Sequence, residues 1–179
     1  MAGILRVDQA NVDYIYAKTT GGKIYVPGHV IQAQQAYVTS TQTLSTNAGT
    51  VAITGLTVNI TPTSTSSKIL AMWTVNMGGD NNQPGLILYR NGSASSFIGD
   101  ASGSKSRVSG GMGGFSTGLI YTVTGSFLDS PSSTSALTYA MYVQTNNSGN
   151  IFINRSSLDS DNAAYNRGAS SIIVMELAQ

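Results

Sequence analysis

Charge is scarce in this chain. Of 179 residues, only 9% are Asp, Glu, Lys or Arg, against a usual share of roughly 25%. It has one Glu (Glu176), one His (His29) and no Cys. Acid–base and nucleophilic catalysis need titratable groups held close together, and few are present to be held. The composition therefore argues against an enzyme. The absence of Cys excludes a disulfide framework, thiolate zinc sites and a cysteine nucleophile. A net charge of +1 supplies no field to attract nucleic acid or anionic lipid. No apolar run approaches the ~20 residues that span a bilayer. The start, MAGILRVDQANVDYIYAK, lacks the basic opening and apolar core of a signal peptide. The expectation is a soluble protein made in a cytoplasm, with no nucleic-acid partner and no membrane insertion.

What is present is polarity without charge, supplied by Ser, Thr, Asn, Gln and Gly. Near-zero net charge removes a common guard against self-association, which suits a protein living in a permanent assembly. From about Gln34 the apolar pattern has period two. Leu56, Val58 and Ile60 share one strand face, with Thr57, Asn59 and Thr61 opposite. Ile69, Ala71, Trp73, Val75 and Met77 share a face in the next strand, so Trp73 is expected in the core. GLILYRNG, TGLIYTVTGSFL, ALTYAMYVQT, NIFIN and SSIIVMELA follow. The segments 78–85, 100–114, 129–135 and 157–168 have turn or loop composition. Asn91-Gly92 after a strand marks a tight hairpin. No segment carries an apolar stripe at helical spacing. About eight short strands at this spacing predict an all-β sandwich or jelly roll.

Residues 1–33 read differently. They hold two short apolar clusters, with Ile4, Leu5 and Val7 in one and Val12, Tyr14, Ile15 and Tyr16 in the other. A disordered tail would be poorer in such residues. The expected division is an extended attachment arm, 1–33, followed by a sandwich domain, 34–179.

Several strands are apolar on both faces, although a sandwich strand needs only one. Leu70 and Met72 stand opposite the Trp73 face. Ile120 and Thr122 stand opposite Leu119, Tyr121 and Val123. Ile172, Val174 and Glu176 stand opposite Ile173, Met175 and Leu177. These second faces, Leu70, Met72, Ile120, Thr122, Ile172, Val174 and Glu176, are expected to meet other copies of the chain. The alternative is a central strand covered by the chain's own loops.

The remaining constellations carry no chemistry. GDASGSKS (99–106) has Ser104 where a phosphate-binding loop needs Gly, and no helix pattern follows. GGMGGFSTG (110–118) runs into a strand, so it lacks the helix of a dinucleotide fingerprint. Asp159, Asp161 and Asn162, like Asp80, Asn81 and Asn82, miss the spacing of a calcium loop. They read as solvated turns. A lone His29 makes neither a transition-metal site nor a triad. No catalytic residue, cofactor or metal is expected.

The order of motifs has a further message. LILYRNG, FIGDASGSKSRVS, FLDSP, a strand pair ending in INRS, and RGASSIIVMELA together resemble a recurrent module of tailed-phage structural proteins, above all of marine and cyanobacterial phages. The resemblance covers about 67–178. GILRVDQ leading to GGKIYVPGHVIQ resembles the N-terminal attachment segment of fibre or decoration proteins. The resemblance implies a homotrimeric jelly roll of the TNF/C1q type, its C-terminal strand in the inner sheet near the three-fold axis. It implies no catalytic residues. Unlike long tail fibres, this chain has no coiled-coil or β-helical shaft between arm and head. The expectation is a virion-surface head fibre or capsid decoration protein, anchored to a capsid or tail protein by its arm. Two alternatives stand beside it: a tail-fibre head that binds a host surface glycan, and a free carbohydrate-binding or C1q-like module.

Overall fold

The computed structural model describes residues 26–45, 49–80, 83–94, 96–111, 114, 116–145 and 148–179. Among these residues the chain is all-β, with no helix. The strands in chain order are β1 (Val30–Val38), β2 (Gln42–Ser45), β3 (Thr50–Ile60), β4 (Lys68–Gly79), β5 (Gly85–Arg90), β6 (Ser93–Ala94), β7 (Gly110–Gly111), β8 (Tyr121–Asp129), β9 (Leu137–Gln144), β10 (Asn150–Ile153) and β11 (Ser170–Leu177).

They form two antiparallel sheets in a sandwich-like arrangement. In the first, β1 pairs with β11, β11 with β4, and β4 with β8. Beyond Thr74, which faces the start of β11, β10 takes over the pairing to β4 at Met77–Gly79, and β2 pairs with β10. The second sheet runs β3-β9-β5-β6, with β7 on the start of β5.

Period-two alternation sets what lies between the sheets. Ile69, Ala71, Trp73, Val75 and Met77 of β4 are all buried, as are Leu56, Val58 and Ile60 of β3. The β4 residues, from the first sheet, meet those of β3 and Leu86, Leu88, Met141 and Val143, all from the second sheet, in one cluster. Each such side chain contributes roughly 1.5–3 kcal/mol relative to leaving it in water. Phe97, between β6 and β7, is 36% exposed and packs against the β4 and β8 side of the core. Its ring stacks on Phe127 at 5.1 Å between centroids and meets Trp73 edge-on at 5.9 Å. Gly125 makes room for the Trp73 ring, since a Cβ there would overlap the indole.

The expected Asn91-Gly92 hairpin joins β5 to β6. Both residues have positive φ, 52° and 78°, as the two central positions of a type I′ turn require. The first sheet also takes in residues 30–33, which lie on the arm side of the expected boundary. Just before them, the Gly28 amide donates to the Ala178 carbonyl at 2.8 Å, and the Ala178 amide donates to the His29 carbonyl at 2.9 Å. The chain therefore enters the sheet beside its own C-terminal strand.

Candidate interaction surfaces

In an antiparallel ladder, residues directly opposite each other share a face. The register of the first sheet therefore lines up its outer face in rows. One row reads Ala33, Met175, Leu70, Leu128. The next reads Gln35, Ile173, Met72, Ser126, and Leu177 lies opposite Lys68. Leu70, Met72, Ile173, Met175 and Leu177 are half-buried, and Leu128 is 50% exposed. Of the surrounding positions, Tyr37, Thr74, Thr124 and Ser126 are uncharged, and Lys68 stands at one end, where its ammonium donates to the Ser130 hydroxyl. This is a contiguous apolar patch with a polar rim, the anatomy of an interaction surface.

The expected interface residues divide against it. Leu70 and Met72 lie in the patch. Thr122 is exposed on the same outer face but at its polar end, where its hydroxyl donates to Asn76 Oδ1 at 2.7 Å. Ile120 is half-buried just before β8. Ile172, Val174 and Glu176 are misassigned: each is fully buried between the sheets, and β11 offers Ile173, Met175 and Leu177 outward instead. The physical reason is Glu176. A charged residue in an alternating strand normally marks the solvent side, but this carboxylate is enclosed. It accepts four hydrogen bonds, each 2.7 Å long, from Gln32 Nε2, the Thr63 amide, the Thr63 hydroxyl and the Ser67 hydroxyl. Burial by itself would raise the carboxyl pKa. The donations from Gln32, Ser67 and Thr63 outweigh it and hold the group below the usual carboxylate range. Outside this network lies a shallow cavity of about 320 Å³, lined by Thr63, Ser64, Ser66, Ser67, Ala178 and Gln179. Thr63 and Ser67 there already spend their protons on Glu176.

A second polar cluster joins the sheets. Asp129 of β8 accepts from Arg90 Nη1 at 2.7 and 2.6 Å and from the Tyr139 hydroxyl at 2.7 Å. The Ser130 amide donates to the same carboxylate at 2.8 Å. Burial, and then the bond to Asp129, pushes the Tyr139 phenol far above its usual pKa. The cluster is an ion pair that also holds the Tyr139 phenol. At the far end of the sandwich, buried Asn154 has positive φ, 62°. Its amide nitrogen donates to the carbonyls of Val38 and Ser40, and its carbonyl oxygen accepts from Ser170. It ties the β1–β2 corner to β11. The sequence reading missed both clusters, although period two places Arg90, Asp129 and Tyr139 at inward positions.

Asp159 is engaged by Arg167 at 2.8 Å and Arg155 at 3.4 Å, so it serves as a loop clamp. Among the described residues, no group of three His, Cys, Asp or Glu side chains could hold a metal. The attachment residues Ile4, Leu5, Val7, Val12, Tyr14, Ile15 and Tyr16 lie outside the described residues.

The outer face of the second sheet is chemically different. Tyr89 of β5 and Tyr142 of β9 stack with ring centroids 3.9 Å apart and planes 25° apart. Thr57 and Asn59 of β3 and Thr138 and Gln144 of β9 stand around them. No Asp, Glu, Lys or Arg occupies an outward position on β3, β5 or β9.

No family model matches the chain, and no curated protein shows significant similarity to it.

Proposed function

We propose that this chain is a non-enzymatic structural protein of a tailed-phage virion surface. In this reading it is a homotrimeric jelly roll, made in the host cytoplasm, that serves as a head fibre or capsid decoration protein. Its N-terminal arm, residues 1–33, holds it to the particle. Strand order supports the jelly roll. With β2, β7 and β10 taken as extensions, eight strands remain. One sheet then runs β1-β11-β4-β8 and the other β3-β9-β5-β6. Two interleaved Greek keys produce this order: first, eighth, third and sixth strands facing second, seventh, fourth and fifth.

The observation that carries the reading is the apolar outer patch of the first sheet. Water disfavours such a patch, and a copy of the chain laid against it removes the penalty. A cyclic trimer lets every copy use the same surface, and the ring closes. The order of the sequence motifs supports the virion setting. The two buried carboxylates, Glu176 and Asp129, are fully occupied by structural hydrogen bonds, which supports a role without catalysis.

Gold-labelled antibody against the chain, applied to intact particles of the phage that encodes it, tests the proposal. Label on the head is expected. Label confined to tail tips would replace decoration with a receptor-binding tail fibre. Particles that carry no label would end the virion reading.

A further inference from the structure

The two outer faces of the sandwich differ in kind, and the second is built for a different partner. Its centre is the stacked pair Tyr89 and Tyr142. Ile87, directly opposite Tyr142, and Ala140, directly opposite Tyr89, are buried although they point outward. The pair thus sits on a sealed floor. Neither phenol hydroxyl has a protein hydrogen-bond partner among the described residues. The same holds for the side chains of Thr57 and Gln144. Asn59 uses only its carbonyl oxygen, which accepts from the Thr138 hydroxyl at 2.7 Å, and its amide N–H groups remain available.

We propose that this face binds a neutral saccharide. The absence of charge argues against acidic sugars, phosphates and basic peptides, which would find no counter-charge. A purely apolar partner would strand the hydroxyls and amides that ring the tyrosines, at the desolvation cost of each unpaired group. A saccharide matches both halves. Its C–H faces are slightly positive and lie against the negative faces of aromatic rings. Its hydroxyls both donate and accept, as do Tyr, Thr, Asn and Gln side chains. Tyrosine suits the task because it offers a broad amphipathic surface with little rotamer entropy to lose. One such flat site binds weakly, and several copies in one assembly would raise affinity through avidity. The inference does not depend on which part of a virion carries the chain.

The test is an array of neutral mono- to tetrasaccharides of glucose, galactose, mannose and N-acetylglucosamine, printed beside sialylated and sulfated oligosaccharides and probed with the full chain. Wild type should bind a subset of the neutral sugars and none of the acidic ones. Tyr142→Ala should lower that signal roughly tenfold, the upper end of one ring contact. Thr57→Lys guards against a misfolded Tyr142 variant: it places a long charged side chain on an exposed position, away from the core, and should also remove binding. Thr57→Lys should keep the wild-type melting temperature, Tyr142→Ala should melt somewhat lower because it loses the ring stack, and both should keep the wild-type mass. Failure to bind any neutral sugar, binding confined to acidic sugars, or full binding by both variants would overturn the proposal. A change of mass in either variant would instead make this face a contact between copies, and would overturn it too. Trimerisation is tested separately, by substitutions on the other sheet.

Discussion

Glu176→Ala removes one carboxylate that holds three segments together. Its oxygens accept from Gln32 on β1, from Thr63 twice, and from Ser67 just before β4. A hydrogen bond to a charged group contributes roughly 1.5–3 kcal/mol. Ser67 is 2% exposed, so its hydroxyl would lose nearly all of that. Thr63 and Gln32 are half-buried and recover part of it from water. The expected cost is roughly 3–5 kcal/mol, roughly 1–3 for the stranded Ser67 hydroxyl and the remainder from partial losses at Thr63 and Gln32. For a chain of this size each kcal/mol lowers Tm by roughly 2–4 °C, so the variant should melt roughly 6–20 °C below wild type. Circular dichroism melts at equal protein concentration and pH 7 would measure this. The pH dependence has a definite sign. The folded pKa of Glu176 is lowered, and its unfolded value is about 4.3. Its share of stability is therefore present above about pH 4.3 and lost as pH falls through the lower folded value. The gap in Tm between wild type and variant should hold from pH 7 to about 5 and shrink below about 4. A gap of under about 2 °C at pH 7, or one that widens in acid, would refute the reasoning.

Three further substitutions probe the core. Asp129→Ala strands the Tyr139 hydroxyl and leaves Arg90 to whatever water its partly exposed side chain reaches. It should cost roughly 3 kcal/mol in urea unfolding, against roughly 1 kcal/mol for Tyr139→Phe; equal costs would mean the ion pair contributes nothing. Gly125→Ala drives a methyl group into the Trp73 ring and should cost roughly 1–3 kcal/mol, visible as a lower midpoint at unchanged slope.

How much of this was legible in the residues varies with the element. On β4 the inward face was legible although both faces carry apolar residues, because Ile69–Met77 puts five of them in unbroken alternation while the opposite face, Lys68, Leu70, Met72 and Thr74, begins and ends polar. The Asn91-Gly92 hairpin was legible because few residues tolerate positive φ twice in succession. On β11 both faces carry three large residues, and the pattern alone is symmetric. The buried side is settled by the enclosure of Glu176, which depends on donors 109 to 144 positions away in sequence. The Arg90–Asp129–Tyr139 cluster could have been found by following parity through three strands, because each member falls on an inward position. The tyrosine pair could not: Tyr89 and Tyr142 become neighbours only through the β5–β9 register, which no local pattern encodes.

In the proposed trimer the apolar outer face of the first sheet joins copies of the chain. Light scattering on the purified protein at micromolar concentration, with Leu70→Asp and Val174→Asp run alongside, measures this. Wild type should have three times the 18.6 kDa monomer mass. Leu70→Asp should be a folded monomer, because its charge lands on the outer face. Val174→Asp should fail to fold, because its charge lands in the core. A wild-type chain that stays monomeric, or a Leu70→Asp variant that keeps the wild-type mass, would contradict this arrangement.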